Sequence, residues 1–309
     1  MNVLVTGGAG FIGSNLVKRL SKLDHNITVY DNLSTGKKEH ISDLLERDGF
    51  CFIHADLTDK EKLGAAMRGQ DFVYHLAANA DIRYGTDNPT YDLEQNVLCT
   101  HNVLEAMRKN GVKKIAFSST STTFGETDVI PTPENYGPAL PTSLYGASKL
   151  SCEGFISAYC SLFDIQAWIF RFANVIGPNV THGILADLAK KLKYSDELDV
   201  LGDGEQFKSY IHVEDCIDGM LFAIEHSKGC VNLFNLGSED QIKIKRIAQI
   251  VVDELSPGTK IRYTGGTQGW KGDIPVMKLD ITKIKNLGWK PRFNSEQAVI
   301  ESVKSMKGS

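Results

Sequence analysis

The chain has 309 residues (34.1 kDa), of which 42% are hydrophobic and 23% charged, and its net charge is -4. That length buries a sizeable core, the composition excludes a disordered or fibrous chain, and the mild acidity excludes the basic field that nucleic acid or an anionic membrane surface would need. An anionic ligand must therefore be caught by local groups.

The six cysteines (Cys51, Cys99, Cys152, Cys160, Cys216, Cys230) show no CxxC pair, so they read as reduced core residues. Only Met1 and Asn2 precede the first apolar run and Gly7-Gly8 interrupts it, which fits neither a signal peptide nor a spanning helix. A cytoplasmic location is expected, with no nucleic-acid or membrane partner.

In chain order, strands are predicted at Asn2 to Thr6, Ile27 to Asp31, Phe50 to His54, Phe72 to Leu76, Lys114 to Ser118 and Gln166 to Arg171, with amphipathic helical stretches between them. This alternation predicts an α/β fold, a doubly wound parallel (Rossmann) sheet covered on both faces. After Asn174 the strands shorten (Asp199 to Leu201, Lys208 to His212, Cys230 to Asn235, Lys260 to Tyr263), with helices near Ile184 to Tyr194 and Val213 to Glu225. The expected organisation is a dinucleotide-binding domain over 1–174 and a smaller C-terminal α/β substrate lobe over 175–309, interleaved at the edge.

The first strand runs into Gly7-Gly8-Ala9-Gly10-Phe11-Ile12-Gly13, a GxxGxxG spacing that opens a helix. Residues without Cβ let backbone N–H groups and the positive helix end approach a pyrophosphate, although a glycine turn alone can also be a tight turn with no ligand. The second strand ends at Asp31, 18 residues beyond Gly13, where a carboxylate would accept from the adenosine ribose and repel a 2′-phosphate. NAD is thus favoured over NADP, with Lys37 and Lys38 in the next loop tempering the preference. Asp56-Leu57 and His75-Leu76-Ala77-Ala78 fall at carboxyl ends of the third and fourth strands; Asp56 reads equally as a helix N-cap, and the two alanines equally as packing.

Tyr145 and Lys149 stand at i and i+4 in a helical stretch entered through Pro141-Thr142-Ser143, so they share one face. A free phenol has a pKa of about 10, and a unit charge at about 4 Å contributes roughly 4 kcal/mol at an effective dielectric near 20. Lys149 together with a nicotinamide cation is therefore expected to draw Tyr145 toward neutrality. The fifth strand ends in Ser118-Ser119-Thr120, which brings a hydroxyl to the same edge. His54, His182 and His212 have no metal spacing, and no metal is expected.

These motifs, with Asn96-Val97, Arg171-Phe-Ala-Asn174, Gly202-Asp-Gly204, Tyr210-Ile-His-Val213 and Leu287-Gly-Trp-Lys-Pro291, make the sequence resemble the extended short-chain dehydrogenases/reductases over essentially its whole length, most of all the UDP-glucose 4-epimerases. The resemblance implies a catalytic set of Thr120, Tyr145 and Lys149. It implies a cofactor set of Gly7, Gly10, Phe11, Ile12, Gly13, Asp31, Asn32, Ser34, Thr35, Gly36, Asp56, Leu57, Leu76, Ala77, Ala78, Asn96, Ser118, Tyr145, Lys149 and Phe172. Substrate contacts would come from Thr120, Asn174, Val200, Lys208 and Asp273. The implied reaction is 4-epimerisation of a UDP-hexose, glucose/galactose or an N-acetylated or uronic relative, through a transient 4-keto sugar, and the implied assembly is a homodimer through the helices bearing Asn96 to Lys109 and Tyr145 to Phe163. Net reduction of a keto sugar and a cofactor-binding regulator are the competing readings; Asp31 opposes the first and the intact triad the second.

Three departures bear on this. Ser121-Thr122 stand where nucleotide-sugar dehydratases carry an Asp-Glu pair, which disfavours dehydration. Gln206-Phe207-Lys208-Ser209 and Trp270-Lys271-Gly272-Asp273 stand where relatives carry diphosphate-gripping arginines, so Lys208 or Lys271 would act as point charges without the bidentate fork. Trp270 could stack on uracil, on Lys208, or in the core; Asp81 and Arg83 read as sugar-pocket residues or as a surface ion pair.

Overall fold

The computed structural model describes residues 1–270 and 273–307. They form two compact units, neither continuous in sequence. The first comprises Met1–Thr123, Leu140–Arg171 and Ala223–Phe234; the second comprises Phe124–Ala139, Phe172–Phe222 and the chain from Asn235 onward. The division thus departs from a single boundary at residue 174 in both directions, because Val231–Leu236 supplies an edge strand to the main sheet and is drawn back to it by hydrogen bonds such as Ala167 N–H to the Cys230 carbonyl (2.9 Å).

The first unit is built on β1 (Asn2–Thr6), α1 (Phe11–Ser21), β2 (Asn26–Asp31), β3 (Phe50–His54), α2 (Lys60–Met67), β4 (Phe72–His75), α3 (Ile82–Asp87), α4 (Pro89–Asp92), a π turn (Leu93–Leu98), α5 (Cys99–Asn110), β5 (Lys114–Thr120), α6 (Leu144–Phe163) and β6 (Gln166–Phe172). With the later β11 (Val231–Leu236), the seven strands lie in the order β11-β6-β5-β4-β1-β2-β3, and the pairings from β3 to β5 are all parallel. Strand order reverses between β1 and β4, the switch at which a doubly wound sheet opens a crevice beyond its carboxyl ends. Both the glycine turn after β1 and the Leu76-Ala77-Ala78 run after β4 leave the sheet there, in register through Thr6 opposite His75. On the α5–α6 face, Leu4, Val73, Ile115, Phe117 and Ile169 meet Val103, Leu104 and Met107 of α5 and Cys152, Ile156 and Cys160 of α6.

A buried histidine ties that layer together. His75 is fully buried, with Nδ1 2.7 Å from Thr6 Oγ1 and Nε2 2.9 Å from Thr100 Oγ1, so it bridges β1, β4 and α5.

The second unit holds β7 (Asn174–Ile176), α7 (Ile184–Leu192), β8 (Glu197–Val200), β9 (Phe207–Lys208), β10 (Tyr210–His212), α8 (Val213–His226, which ends in the first unit), β12 (Ile242–Lys243), α9 (Ile244–Leu255), β13 (Lys260–Tyr263), β14 (Val276–Met277), α10 (Thr282–Asn286) and α11 (Ser295–Met306). Its core joins Leu185, Leu188, Leu198, Val200, Ile247, Val251, Val299 and Val303. The single strand expected over Lys208 to His212 breaks at Ser209, because the chain changes partners there: β9 pairs with β12 and β14, whereas β10 pairs with β7. Four cysteines are buried as expected, but Cys51 and Cys230 are exposed, so the reading of all six as core residues is corrected. Among the described residues no helix is long and apolar enough to cross a membrane.

Burial, and then the Lys149 charge, lower the His75 pKa from its ordinary value to about 3. The unfolded chain therefore takes up a proton that the folded chain refuses between pH 6.5 and 3, and this contribution to stability is lost as pH falls through that window. Denaturant titrations at stepped pH should show the His75→Gln variant losing roughly one proton's slope, about 1.4 kcal/mol per pH unit, relative to wild type. Identical slopes would mean His75 is not held neutral.

Candidate dinucleotide and catalytic site

The turn after β1 leaves no room for side chains. Gly7 has φ +70° and a Cβ on it would stand 2.7 Å from the Ala77 nitrogen; a Cβ on Gly13 would run into the Gly7 carbonyl oxygen. The Ser14 N–H then donates to the Gly10 carbonyl (2.9 Å) as α1 begins, and the first turn of α1 carries no acidic residue. The result is a close backbone approach to a positive helix end, which is what a pyrophosphate requires.

Asp31 closes the cradle from β2. Its Oδ2 accepts the Ala9 N–H (2.9 Å) and its Oδ1 the Leu33 N–H (2.8 Å), so one buried carboxylate joins the glycine turn to the loop that follows β2. Each oxygen keeps a lone pair for a ribose hydroxyl. In that loop Asn32 accepts from Ser34 N–H (3.0 Å), and a Cβ on Gly36 would lie 2.9 Å from the Ala9 carbonyl carbon, so Asn32, Ser34, Thr35 and Gly36 are folded back toward the turn. Asp56 is not the cap of α2, a role that falls to Asp59, whose side chain accepts from Lys62 N–H. Asp56 instead accepts from the Thr58 N–H (2.8 Å) and hydroxyl (2.7 Å) and from Asn32 Nδ2 (2.6 Å). These residues fit a dinucleotide: a side-chain-free turn, an uncapped positive helix end and a fixed carboxylate at the adenosine position.

Ser143 caps α6 by accepting from the Gly146 N–H (3.1 Å), and Gly146 is needed because a Cβ there would sit 2.5 Å from the Thr122 carbonyl. This holds Tyr145 against the end of β5, where the Thr120 side chain is near enough to favour the ionised phenol. Thr120 Oγ1 also lies 3.1 Å from Thr122 Oγ1 and accepts the Thr122 N–H (3.2 Å). One turn on, Lys149 is 2% exposed with Nζ 4.4 Å from the Phe117 ring centroid. Ser118 at the same strand end donates to the His75 carbonyl (3.4 Å).

Burial pushes the Tyr145 phenol well above its ordinary range, and the Thr120 side chain opposes this. Lys149 itself is lowered to about 8, chiefly by burial, against the opposing influence of Cys152, Glu153 and Asp92.

Asn174 Nδ2 donates to the Ser209 carbonyl (3.0 Å) at the start of β7. Val200 is buried in the core of the second unit at the end of β8, and its carbonyl accepts the Thr264 N–H (3.0 Å). Lys208 makes a 2.5 Å ion pair with Asp273, whose other oxygen accepts the Gly269 N–H (3.0 Å). Trp270 is 40% exposed with its ring centroid 5.2 Å from Lys208 Nζ, so it is not a core aromatic and its ring lies against Lys208. Lys271 and Gly272 lie outside the described residues. Asp81 caps α3, accepting the Arg83 and Tyr84 N–H groups, and among the described residues Arg83 makes no ion pair with it or any other acid. No group of metal-ligating side chains occurs among the described residues.

Residues 3–237 match the NAD dependent epimerase/dehydratase family. The chain belongs to that family. Similar proteins include a UDP-glucose 4-epimerase of Corynebacterium glutamicum, 30% identical over 98% of this chain and 94% of the relative. A solved UDP-galactose 4-epimerase is 36% identical with a TM-score of 0.89, covering 100% of this chain and 99% of the other. A Bacillus cereus UDP-glucuronic acid 4-epimerase, solved with UDP-glucuronic acid and NAD, is 27% identical with a TM-score of 0.90 over 99% or more of both chains.

Sequence reasoning missed one buried network that had a visible signal. Arg171 interrupts an otherwise apolar strand, and its guanidinium forms a forked, buried pair with Glu153 of α6 (Nε to Oε1 3.0 Å, Nη2 to Oε2 2.6 Å), while Ser119 donates to the same Oε1 (2.5 Å). Glu153 sits one helical turn beyond Lys149, so this network fixes α6 to the end of β5 beside Thr120.

Gly13→Ala is expected to force the glycine turn open and weaken NAD binding roughly a hundredfold, about 2.7 kcal/mol. Calorimetric titration with NAD measures it, and an unchanged affinity would remove the turn from the cofactor site.

Proposed function

We propose that this chain is an NAD-dependent 4-epimerase of UDP-hexoses, with UDP-glucose and UDP-galactose as substrate and product. The observation that carries the reading is that α6, capped by Ser143 and packed through Gly146 on the Thr122 carbonyl, brings Tyr145 to the Thr120 end of β5 with buried Lys149 one turn on, at the end of the strand that neighbours the switch point. Tyr145 takes the proton of the sugar 4-hydroxyl, with Thr120 passing it along the hydroxyl pair. NAD⁺, held by the glycine turn, Asp31 and Lys149, would supply a positive ring charge that offsets the burial of the phenol and a reversible hydride acceptor for C4 of the sugar. Lys149 binds the nicotinamide ribose and Asn96 orients α6, while Asp31 receives the adenosine ribose. Asn174 and Lys208 take the diphosphate, Lys208 as a point charge without the arginine fork, and Asp273 the uridine ribose.

An epimerase asks only that hydride leave and return, so neither an added reductant nor an acid–base pair for eliminating water is required. Ser121 and Thr122 supply no such acid, which supports epimerisation over dehydration. The similarity to a UDP-glucuronic acid 4-epimerase makes the C6 substituent the point to test. Purified protein given UDP-glucose, UDP-galactose, their N-acetyl forms and UDP-glucuronate should interconvert the first pair fastest by NMR, without added cofactor. Faster turnover of UDP-glucuronate would reassign the substrate. Tyr145→Phe should lose about 10²- to 10⁴-fold in kcat while still holding NAD; normal turnover would remove Tyr145 as the base.

We also propose a two-fold homodimer through the π turn, α5 and α6, because Leu93, Leu98, Phe155 and Leu162 leave large apolar side chains exposed there, Leu162 by 71%. Light scattering should report a dimer for wild type and a monomer for Leu162→Glu; a wild-type monomer at micromolar concentration counts against it.

A further inference from the structure

Asp92 ends α4 beside the π turn, is 1% exposed, and plays no part in the reaction as set out above. Its Oδ1 accepts from Asn79 Nδ2 (2.9 Å) and from Asn96 Nδ2 (3.2 Å). Asn96 in turn donates to Ser148 Oγ (2.8 Å) and accepts the Asn79 backbone N–H through Oδ1 (2.8 Å). Ser148, which lies between Tyr145 and Lys149, donates to the Tyr145 carbonyl (2.8 Å). The directions agree along the whole chain of bonds: an ionised carboxylate can only accept, so it turns the amino side of the Asn96 amide inward, and that side alone can donate to a serine whose own proton is already committed.

The other oxygen, Oδ2, is buried with no hydrogen-bond partner, and Gly85 lies so close that a Cβ there would run into it. A chain that needed only packing at this point would do better with an apolar residue, since an unpaired buried carboxylate oxygen is costly. Burial raises the carboxyl pKa, and the Asn79 hydrogen bond and the Lys149 charge work against that rise. Asn79 directly follows the His75–Ala78 run at the end of β4, so the carboxylate joins the cofactor edge of the sheet to the turn that carries the base. A π turn, a form that recurs beside functional sites, begins at the next residue.

We propose that Asp92 is a positioning residue that fixes the Tyr145–Lys149 turn of α6 through the amides of Asn79 and Asn96. Its kinetic consequence rests on the epimerase reading, and its structural consequence does not. The test compares Asp92→Ala, Asp92→Asn and Gly85→Ala with wild type in the full-length protein, by hydrogen exchange and by steady-state kinetics. Asp92→Ala should speed amide exchange about tenfold or more in peptides spanning 79–85 and 144–150 but not in those of β2 and β3. Its kcat should fall between about ten- and a hundredfold while KM for the sugar nucleotide and NAD affinity stay within about twofold. Asp92→Asn keeps an acceptor oxygen and should recover most of both losses; Gly85→Ala, which displaces the carboxylate without removing it, should reproduce them and serves if Asp92→Ala does not fold. Wild-type exchange in both peptides of Asp92→Ala overturns the proposal, as does a loss spread evenly over the unit that Asn fails to relieve. If wild type epimerises no UDP-hexose, the functional reading falls and the exchange arm still decides this one.

Discussion

The molecule keeps a lysine ammonium out of water beside a benzene ring. Removing such an ion from solvent costs several kcal/mol even after relaxation, while a desolvated cation–π contact returns about 2 kcal/mol. The Lys149–Phe117 contact therefore does not balance its burial, which is why the ammonium is easier to deprotonate than a free lysine. Among the described residues no carboxylate pairs with it directly; Glu153 and Asp92 act at longer range, each tied up by its own donors. A cation left under-compensated in this way is one that a ligand oxygen can relieve, and the same burial raises the phenol beside it. The site is held in a state that favours neutral side chains until a charged ring and ribose hydroxyls arrive.

The rest of the first unit is arranged to keep that state rigid. Thr6, His75 and Thr100 satisfy one another inside the sheet layer, where β1 and β4 end at the switch point, and Ser119, Glu153 and Arg171 do so between the middle of α6 and the ends of β5 and β6. Fully satisfied buried polar groups specify one arrangement, because any slip leaves an unpaired donor or acceptor in a medium of low dielectric. The glycine turn is rigid for a different reason: its backbone atoms pack so closely that a Cβ at Gly7, Gly8 or Gly13 could not be accommodated.

The strand candidates of the first half were legible because each is a short β-branched run bounded by turn residues, and the triad was legible because Tyr145 and Lys149 are close in sequence. What stayed hidden was long-range pairing. Nothing local shows that Lys208 would spend its charge on Asp273, sixty-five positions away, or that Arg171 would find Glu153 rather than a phosphate. The break at Ser209 was invisible for the same reason, since a change of strand partner is decided by neighbours remote in sequence. The desolvation of Tyr145 was hidden as well, because a charge is easy to see in a sequence and burial is not.

The path of the chain limits how its parts can be exchanged. Because Phe124–Ala139 and Ala223–Phe234 each cross from one unit's stretch of sequence into the other's fold, no single cut separates the half that holds the dinucleotide from the half proposed to read the sugar nucleotide. Exchanging the chain after residue 174 for another would therefore carry away an edge strand of the main sheet together with the second unit's strands, so the two units cannot be swapped as separate cassettes.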